Sequence, residues 1–341
     1  MIKEAIEAVV VGRSLSMEEA AATMEDIMSG QATPAQIGAF LVALRIKGET
    51  AEEIAGMARV MRDKALRVQV DGPAIDIVGT GGDRSGTFNI STAAALLAAA
   101  CGVKVAKHGN RAMSSACGSA DALEALGVPI ALGPEGVARL IKETGFGFMF
   151  APNFHPAMRH AAGPRREIGI RTVFNVLGPL TNPAFVPAQA TGAAEPGLAE
   201  KMIQVLKLLG SRRALVFHSA DGLDELSTTA PSHIHELKDG QIGEYHVTPE
   251  ELGLPRARLA DLKGGSPQDN AAMIRAVLSG EKGPRRDVVL LNAAAGLVVA
   301  GAAKDLKEGI AIAARAVDSG RAQRKLDEIF SVGQAIVEEG K

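Results

Sequence analysis

Apolar residues in the first 65 or so positions recur with the period of short amphipathic helices. After Thr33, for example, the apolar residues Ile37, Phe40 and Leu44 share one helical face. Three predicted helices open with a capping box, in which a hydroxyl and a Glu or Gln side chain satisfy free backbone amides. The capping pairs are Ser16–Glu19, Thr33–Gln36 and Thr50–Glu53. We therefore predict a small all-helical domain over residues 1–70, whose apolar face packs either on its own chain or on a second subunit.

From about residue 73, short apolar runs alternate with helical stretches, which is typical of βαβ units around a mostly parallel sheet. The predicted strands are Ala74–Val78, Val103–Ala106, Gly147–Ala151 and Ala214–His218. Residues 232–247 predict a β-hairpin that turns at Asp239-Gly240, and the chain from about residue 267 is mainly helical. The predicted fold class is α/β: a small all-helical N-terminal domain plus a larger α/β domain, residues 71–341, with a mostly parallel central sheet.

Composition excludes several classes of protein. The chain has 37 Lys and Arg against 39 Asp and Glu, a net charge of −2, which argues against a general nucleic-acid or membrane-surface protein. The longest apolar runs, Ala93–Val103 and Val288–Ala303, fall short of the roughly 20 residues of a membrane span. Cys101 and Cys117 cannot form a disulfide framework, and the N-terminus does not resemble a signal peptide. We expect a soluble, cytoplasmic protein.

A glycine-rich segment follows the first predicted strand and precedes an Ala/Leu-rich helix. It reads Gly79-Thr-Gly-Gly-Asp83, and Asn89-Ile-Ser-Thr92 comes shortly after it. Glycines let backbone amides approach an anion, and a helix start offers free N–H groups. The spacing fits neither a dinucleotide fingerprint, because Arg84 replaces the third Gly, nor a Walker loop, because Thr87 replaces its Lys. An ordinary capped turn is the alternative, but the converging donors favour phosphate binding.

A second polar segment, residues 107–121, follows the next predicted strand and should open at the same edge of the sheet. Its cations and hydroxyl donors are Lys107, Arg111, Ser114, Ser115 and Ser119. Two phosphate-suited loops on neighbouring strands indicate a ligand with two separate phosphate groups.

Adjacent carboxylates, Asp224 and Glu225, follow the predicted strand Ala214–His218. Such oxygen ligands suit Mg²⁺, which typically bridges to substrate phosphates. Paired acids are also common in solvated turns, but beside two phosphate loops the metal site is favoured. Arginines are frequent between residues 159 and 171, where they are either solvated or available to clamp a carboxylate.

The histidines give weaker signals. His108 is equally compatible with a packed or capping histidine and with a catalytic base. His233 and His235 alternate on a predicted strand, and nothing nearby in the sequence completes a metal ligand set. We interpret these two as structural.

Together the segments resemble the anthranilate phosphoribosyltransferase family over nearly the whole chain. The motifs that carry the likeness are Gly79-Thr-Gly-Gly-Asp83, Asn89-Ile-Ser91-Thr92, Lys107-His-Gly-Asn110-Arg111, Ser114-Ser115 and Arg171-Thr-x-Phe-Asn-x-Leu-Gly-Pro-Leu-Thr-Asn-Pro183. The resemblance implies transfer of the 5-phosphoribosyl group from phosphoribosyl pyrophosphate to the amine of anthranilate, in tryptophan biosynthesis. It also implies a homodimer formed mainly through the helical domain, and a segment around 165–185 that crosses back to that domain.

The resemblance also implies residue roles. Mg²⁺, as two ions per subunit, is expected at Ser91, Asp224 and Glu225. Anthranilate is expected at Gly79, Asn110 and Arg165. Phosphoribosyl pyrophosphate is expected at Gly79, Gly82, Asp83, Thr87, Asn89, Ile90, Ser91, Thr92, Lys107, His108, Gly109, Asn110, Arg111, Ala112, Met113, Ser114, Ser115 and Ser119.

The implied chemistry needs no strong base, because an arylamine is already neutral near pH 7. We assign no catalytic base, and His108 is a weak candidate. Two rival functions are a pyrimidine nucleoside phosphorylase, which would need no paired Mg²⁺-binding acids, and a nucleic-acid-binding relative, which would need a basic groove. The intact acid pair and the net charge of −2 favour neither rival.

Overall fold

The structure is a computed structural model that describes residues 1–112 and 116–340. Four helices open the chain: α1 (Ile2–Val10), α2 (Met17–Met28), α3 (Pro34–Lys47) and α4 (Ala51–Asp63). The predicted capping boxes at Ser16, Thr33 and Thr50 are confirmed at the starts of α2, α3 and α4. Each such cap contributes about 1 kcal/mol, so these helix starts are fixed by local sequence.

The remaining elements alternate strands with helices and then end in helices. The strands are β1 (Ile75–Gly79), β2 (Val105–Gly109), β3 (Phe146–Phe150), β4 (Ala188–Gly192), β5 (Arg213–Ser219), β6 (Ser232–Lys238) and β7 (Gln241–Val247). The helices are α5 (Ile90–Ala100), α6 (Ser119–Ala125), α7 (Pro134–Thr144), α8 (Ala151–Phe154), α9 (Arg159–Ile168), α10 (Phe174–Leu177), α11 (Pro196–Leu208), α12 (Pro267–Leu278), α13 (Pro284–Val299), α14 (Leu306–Asp318) and α15 (Arg321–Glu339).

The seven strands form one sheet in the order β3-β2-β1-β4-β5-β6-β7. Strands β1 to β5 are parallel, and β6 and β7 form the predicted antiparallel hairpin at the edge. The predicted fold, a helical N-terminal domain with a larger, mostly parallel α/β domain, is confirmed. The strand order reverses between β1 and β4, and in open α/β sheets ligands bind at such a reversal.

Strand β4 is missing from the sequence prediction because it contains no apolar run. Its central residues Gln189 and Thr191 are buried, and the Gln189 amide donates to the Thr191 hydroxyl at 2.6 Å and to the Pro179 carbonyl at 3.2 Å. A buried polar side chain that is satisfied in this way is compatible with a central strand.

The two faces of the sheet are covered differently. On one face, α5 and α13 are buried almost throughout their lengths. On the other, helices α1 to α4 share a core with α11 and with residues 161–180. The Arg62 guanidinium also donates to the Leu180 carbonyl at 2.6 Å. The helical region therefore packs on its own chain, and the segment before β4 links it to the rim of the sheet.

Among the described helices, none combines the length and the apolar character that crossing a membrane requires.

Candidate active site

Three loops meet at the carboxyl ends of the parallel strands. The Gly81 amide, after β1, donates to Oδ2 of Asp224, after β5, at 2.6 Å, and the Ser91 amide donates to Oε1 of Glu225 at 3.0 Å. The Asn89 side chain donates to the carbonyl of Cys117, in the loop after β2, at 3.2 Å. The predicted common rim is thus present. Met113, Ser114 and Ser115, also expected to bind the substrate, lie outside the described residues.

The loop after β1 presents unused backbone donors. Gly81 and Gly82 have φ of +69° and +84°, a left-handed conformation that favours glycine. The amides of Gly82, Asp83 and Arg84 donate to no group within the described residues. Successive free amides in such a turn form a concave anion site. The loop therefore has the geometry of a phosphate cradle.

Arg171 fixes the position of this cradle. Both of its terminal nitrogens donate to the Gly81 carbonyl at 3.1 Å. A Cβ on Gly82 would lie 1.3 Å from Nη1 of Arg171, so any larger residue there would displace the Arg171 side chain, and the positive φ separately favours glycine. Sequence reasoning named Arg171 within a motif but gave it no role, because only the fold brings it to Gly81.

The start of helix α5 adds further polar groups beside the cradle. The Thr92 hydroxyl and Oδ1 of Asn89 are buried and have no hydrogen-bond partner among the described residues. The Thr87 hydroxyl lies 3.3 Å from the Ser85 hydroxyl at the same turn. Buried polar groups are normally paired, so these unpaired atoms are available to a ligand. The Thr92 hydroxyl extends the cradle toward the N-terminus of a regular helix, whereas Oδ1 of Asn89 can only accept a hydrogen bond and so suits a hydroxyl group of the ligand.

A second missed residue, Lys263, supports the glycine-rich loop from outside. Its ammonium donates to the Ser85 carbonyl at 3.2 Å, and the Gly264 amide donates to the Gly86 carbonyl at 3.0 Å. A Cβ on Gly264 would approach the backbone of Phe88 to 2.8 Å. The sequence signal was the Gly264-Gly265 pair, which marks a close approach of backbones.

Asp224 and Glu225 are both buried beside the half-buried Asp83. Burial, followed by the negative charge of Asp83, raises the pKa of Asp224 to about 7. Burial and the charge of Asp224 raise the pKa of Glu225 well above its usual range. Crowded, desolvated carboxylates need a cation, and an all-oxygen donor set suits Mg²⁺. The residues present therefore fit the expected metal.

Lys107 lies beneath the rim and not on its surface. The side chain is 1% exposed, and its ammonium donates to the Ile77 carbonyl at 2.5 Å and to the Ser91 hydroxyl at 3.4 Å. Burial lowers the pKa of Lys107, while the charges of Asp76 and Glu225 oppose that effect. The Lys107 ammonium therefore lies beside the buried acids and contacts Ser91.

His108 and His155 lie side by side below the rim, with ring centroids 5.0 Å apart. Nδ1 of His108 is 3.1 Å from the Gly178 carbonyl, which can only accept, so Nδ1 carries the proton. Burial, then the neighbouring His155, lowers the pKa of His108 to about 3. Burial lowers the pKa of His155 to about 4. Both rings are neutral near pH 7, and His108 is a poor proton acceptor.

Comparison with known proteins agrees with this geometry. Residues 3–65 match the family described as "Glycosyl transferase family, helical bundle domain", and residues 71–323 match "Glycosyl transferase family, a/b domain". Anthranilate phosphoribosyltransferase from Chloroflexus aurantiacus is 58% identical over 335 residues, which are 98% of this chain and 99% of that protein. The chain belongs to the anthranilate phosphoribosyltransferase family.

Solved structures of this family superpose closely. The enzyme from Thermus thermophilus has a TM-score of 0.92 at 49% identity, covering 97% of this chain and 99% of that one. The enzyme from Saccharomyces cerevisiae in complex with PRPP and Mg has a TM-score of 0.89 at 29% identity, with 98% of both chains covered. Another structure of the yeast enzyme contains 4-fluoroanthranilate and has a TM-score of 0.88 at 28% identity, again covering 98% of both chains.

The family motif Lys107–Arg111, at the end of β2, makes close contacts with the start of helix α6. The Arg111 guanidinium is paired with Asp121 and Glu124, each at 2.8 Å, and is therefore directed to helix α6. The Ser119 hydroxyl donates to the Asn110 carbonyl at 3.2 Å. A Cβ on Gly109 would lie 2.3 Å from the Ser119 hydroxyl. These contacts tie the described ends of the segment to helix α6, and Asn110, directly after β2, is exposed.

Arg165, the residue expected to contact anthranilate, lies on helix α9. It is half-buried, its guanidinium lies 5.0 Å from the centre of the Phe174 ring, and burial lowers its pKa. No carboxylate among the described residues forms an ion pair with it. A partly desolvated arginine without a carboxylate partner is suited to a carboxylate ligand. The next residue, Arg166, is exposed.

Proposed function

We propose that the chain is an anthranilate phosphoribosyltransferase: it transfers the 5-phosphoribosyl group of phosphoribosyl pyrophosphate to the amine of anthranilate and releases pyrophosphate. The observation that carries the proposal is the junction of the phosphate cradle with a buried acid pair, made by the Gly81–Asp224 and Ser91–Glu225 hydrogen bonds. A pyrimidine nucleoside phosphorylase has no use for this acid pair. The near-neutral charge of the chain does not suit a nucleic-acid-binding relative.

The pyrophosphate end of the substrate would lie on the free amides of Gly82, Asp83 and Arg84, with the Thr92 hydroxyl and the start of α5 beside them. Preorganised donors of this kind stabilise the charge that develops on the leaving group. Ser91, Asp224 and Glu225 would hold Mg²⁺, and Asp83 supplies a further carboxylate that supports two ions per chain. When bound, Mg²⁺ neutralises the departing pyrophosphate.

Anthranilate would be held through its carboxylate by Arg165, and Asn110, exposed directly after β2, would contact it as well. Its amine is neutral near pH 7 and can attack C1 of the ribose once the two substrates are aligned. The low pKa of His108, about 3, removes it as an effective base at neutral pH.

The experiment that tests this function is growth of a tryptophan auxotroph without tryptophan when this chain is expressed. The proposal predicts growth with the wild type and none with the Asp224→Asn, Glu225→Gln double variant. In a parallel assay, thymidine and inorganic phosphate should yield no thymine. Thymine release without rescue of the auxotroph would favour the phosphorylase instead.

The division into residues 1–70 and residues 71–341, and the assembly into a homodimer through the helical domain, are parts of the same proposal. Support for the dimer comes from exposed apolar residues on that domain: Val10 is 66% exposed, Val11 79% and Ile46 82%. These helix ends meet where the Lys47 ammonium lies 3.3 Å from the Ser14 hydroxyl. Monomeric proteins rarely leave such patches uncovered.

The dimer is tested by sedimentation of Ile46→Glu beside a matched control, Leu208→Glu, at an exposed residue of α11. We expect the first variant to sediment as a monomer and the second as a dimer. Equal behaviour of the two variants would contradict the assignment of this surface. We also propose a cytoplasmic location, which the low cysteine content of the chain, two residues in 341, supports.

A further inference from the structure

Three of the chain's seven histidines lie on one face of the β6–β7 hairpin, at the outer edge of the sheet. In the observed register, His233 is opposite His246 and His235 is opposite Glu244. Because side chains alternate along a strand, these four side chains share a face. The hairpin thus brings together residues that are separated in sequence by its turn.

The spacing of the donor atoms is that of a metal site. Nε2 of His233 lies 3.3 Å from Oε2 of Glu244, and Nδ1 of His235 lies 3.7 Å from the same oxygen. The three ligand atoms all lie within 4.8 Å of one another. Tetrahedral Zn²⁺ with bonds of about 2.0–2.1 Å separates its ligands by about 3.3–3.4 Å. Only small side-chain rotations are needed to reach that geometry.

The imidazole of His233 is positioned to ligate a metal ion. Its ring stacks on that of His246, with centroids 4.2 Å apart and planes at 8°. Its Nε2 is enclosed, and apart from the 3.3 Å approach of Glu244 it has no hydrogen-bond partner within the described part of the chain. His235 is buried, whereas the Glu244 side chain is 65% exposed, so an ion can enter from the solvent side.

We propose that His233, His235 and Glu244 form a binding site for a divalent transition-metal ion of the Zn²⁺ class, distinct from the Mg²⁺ site. Two imidazoles and one carboxylate suit Zn²⁺, Ni²⁺ or Cu²⁺, whereas Mg²⁺ prefers oxygen ligands. A water completes the fourth position. The interpretation of His233 and His235 as purely structural is therefore incomplete, because Glu244 reaches them only through strand pairing.

The bound ion would join β6 to β7 and so stabilise the outermost hairpin of the sheet. His218 lies opposite His233 on β5, and its Nδ1 is 2.9 Å from the Ala193 carbonyl. That contact places the proton on Nδ1 and leaves the Nε2 lone pair of His218 free. A further imidazole therefore stands next to the site in the same row across the sheet.

The test is titration of the untagged, full-length protein with Zn²⁺ by calorimetry, and with Co²⁺ by visible absorption, at saturating Mg²⁺. We expect one Zn²⁺ per chain, a rise in melting temperature, and a Co²⁺ spectrum of tetrahedral intensity. Glu244→Gln changes an exposed residue and should weaken Zn²⁺ binding at least tenfold. Glu281→Gln, at an exposed position outside the hairpin, should bind Zn²⁺ as the wild type does.

His233→Ala provides a second, independent variant, and it should abolish the tetrahedral Co²⁺ spectrum. No stoichiometric Zn²⁺ binding by the wild type, or equal affinity in the wild type and Glu244→Gln, would overturn the proposal. Phosphoribosyl transfer with Mg²⁺ should be unchanged in Glu244→Gln. A failure of the Zn²⁺-binding test would therefore leave the proposed transferase function untouched, and a failure of the transferase test would leave the Zn²⁺ site untouched.

Discussion

The amide of Gly81 donates a 2.6 Å hydrogen bond to Oδ2 of Asp224, 143 positions further along the chain. The bond joins the phosphate cradle to the acid pair and sets the distance between them. Gly79 and Gly192 make room for it, because a Cβ on either would lie 2.4 Å and 1.7 Å, respectively, from oxygens of Asp224. The site therefore depends on glycines of two strands as much as on its charged residues.

The acid pair predicts the metal requirement. Replacing Asp224 by Asn and Glu225 by Gln removes the anionic ligands but keeps the side-chain volumes. We expect the Mg²⁺ concentration for half-maximal turnover to rise at least tenfold, measured by loss of anthranilate fluorescence. Asp239→Asn, in the turn of the hairpin, is the matched control and should leave the titration unmoved. An unmoved titration in the double variant would remove these residues from the metal site.

The close approach of Arg171 predicts a difference between two neighbouring glycines. Gly81→Ala and Gly82→Ala both place a side chain at positive φ, with a cost of about 1 kcal/mol each. Only at Gly82 does the new Cβ collide with Arg171; at Gly81 it meets nothing within 4 Å. We expect kcat/KM for phosphoribosyl pyrophosphate to fall at least tenfold further in Gly82→Ala. Equal losses would show that Arg171 does not position the cradle.

Arg165 predicts the affinity for anthranilate. A hydrogen bond to a charged group contributes about 1.5–3 kcal/mol, so Arg165→Ala should raise KM for anthranilate by about 10- to 150-fold. The KM for phosphoribosyl pyrophosphate should change little. Arg166→Ala alters the adjacent, exposed arginine and serves as the control. If both variants keep the wild-type KM, Arg165 does not contact anthranilate.

The lowered pKa of His155 predicts that the free energy of unfolding falls in acid. Its pKa is about 4 in the folded chain and about 6.5 when unfolded, so below pH 6.5 the unfolded state binds more protons. The stability that the neutral form of His155 contributes is fully present above that pH and is lost as the pH falls toward 4. Removing this group in His155→Asn should reduce the slope by up to about 1.4 kcal/mol per pH unit over that window. Urea unfolding of both proteins at several pH values measures it, and parallel curves would contradict the assignment.

The features that sequence predicts best here are local. The capping boxes at Ser16, Thr33 and Thr50 and the turn at Asp239-Gly240 depend on residues within a few positions, and the structure contains all of them. The rim itself was predictable because parallel strands end at a common edge. Strand β4 was not, since its buried Gln189 and Thr191 break the apolar pattern.

Contacts between distant segments could not be predicted from the residue pattern. The pairing of Arg111 with helix α6, the burial of Lys107 and the contact of Arg171 with Gly81 depend on which helices and loops the fold brings together. Likewise, Glu244 joins His233 and His235 only when the hairpin closes. In each case the residue type was visible in the sequence, but its partner was not.

The most direct test of the account is the fluorescence of anthranilate after addition of phosphoribosyl pyrophosphate and Mg²⁺, followed together with pyrophosphate release. The account predicts that fluorescence is lost in one-to-one proportion to the pyrophosphate released, and that EDTA abolishes both signals. Persistent anthranilate fluorescence in a folded, Mg²⁺-saturated sample, or pyrophosphate release without loss of fluorescence, would contradict it.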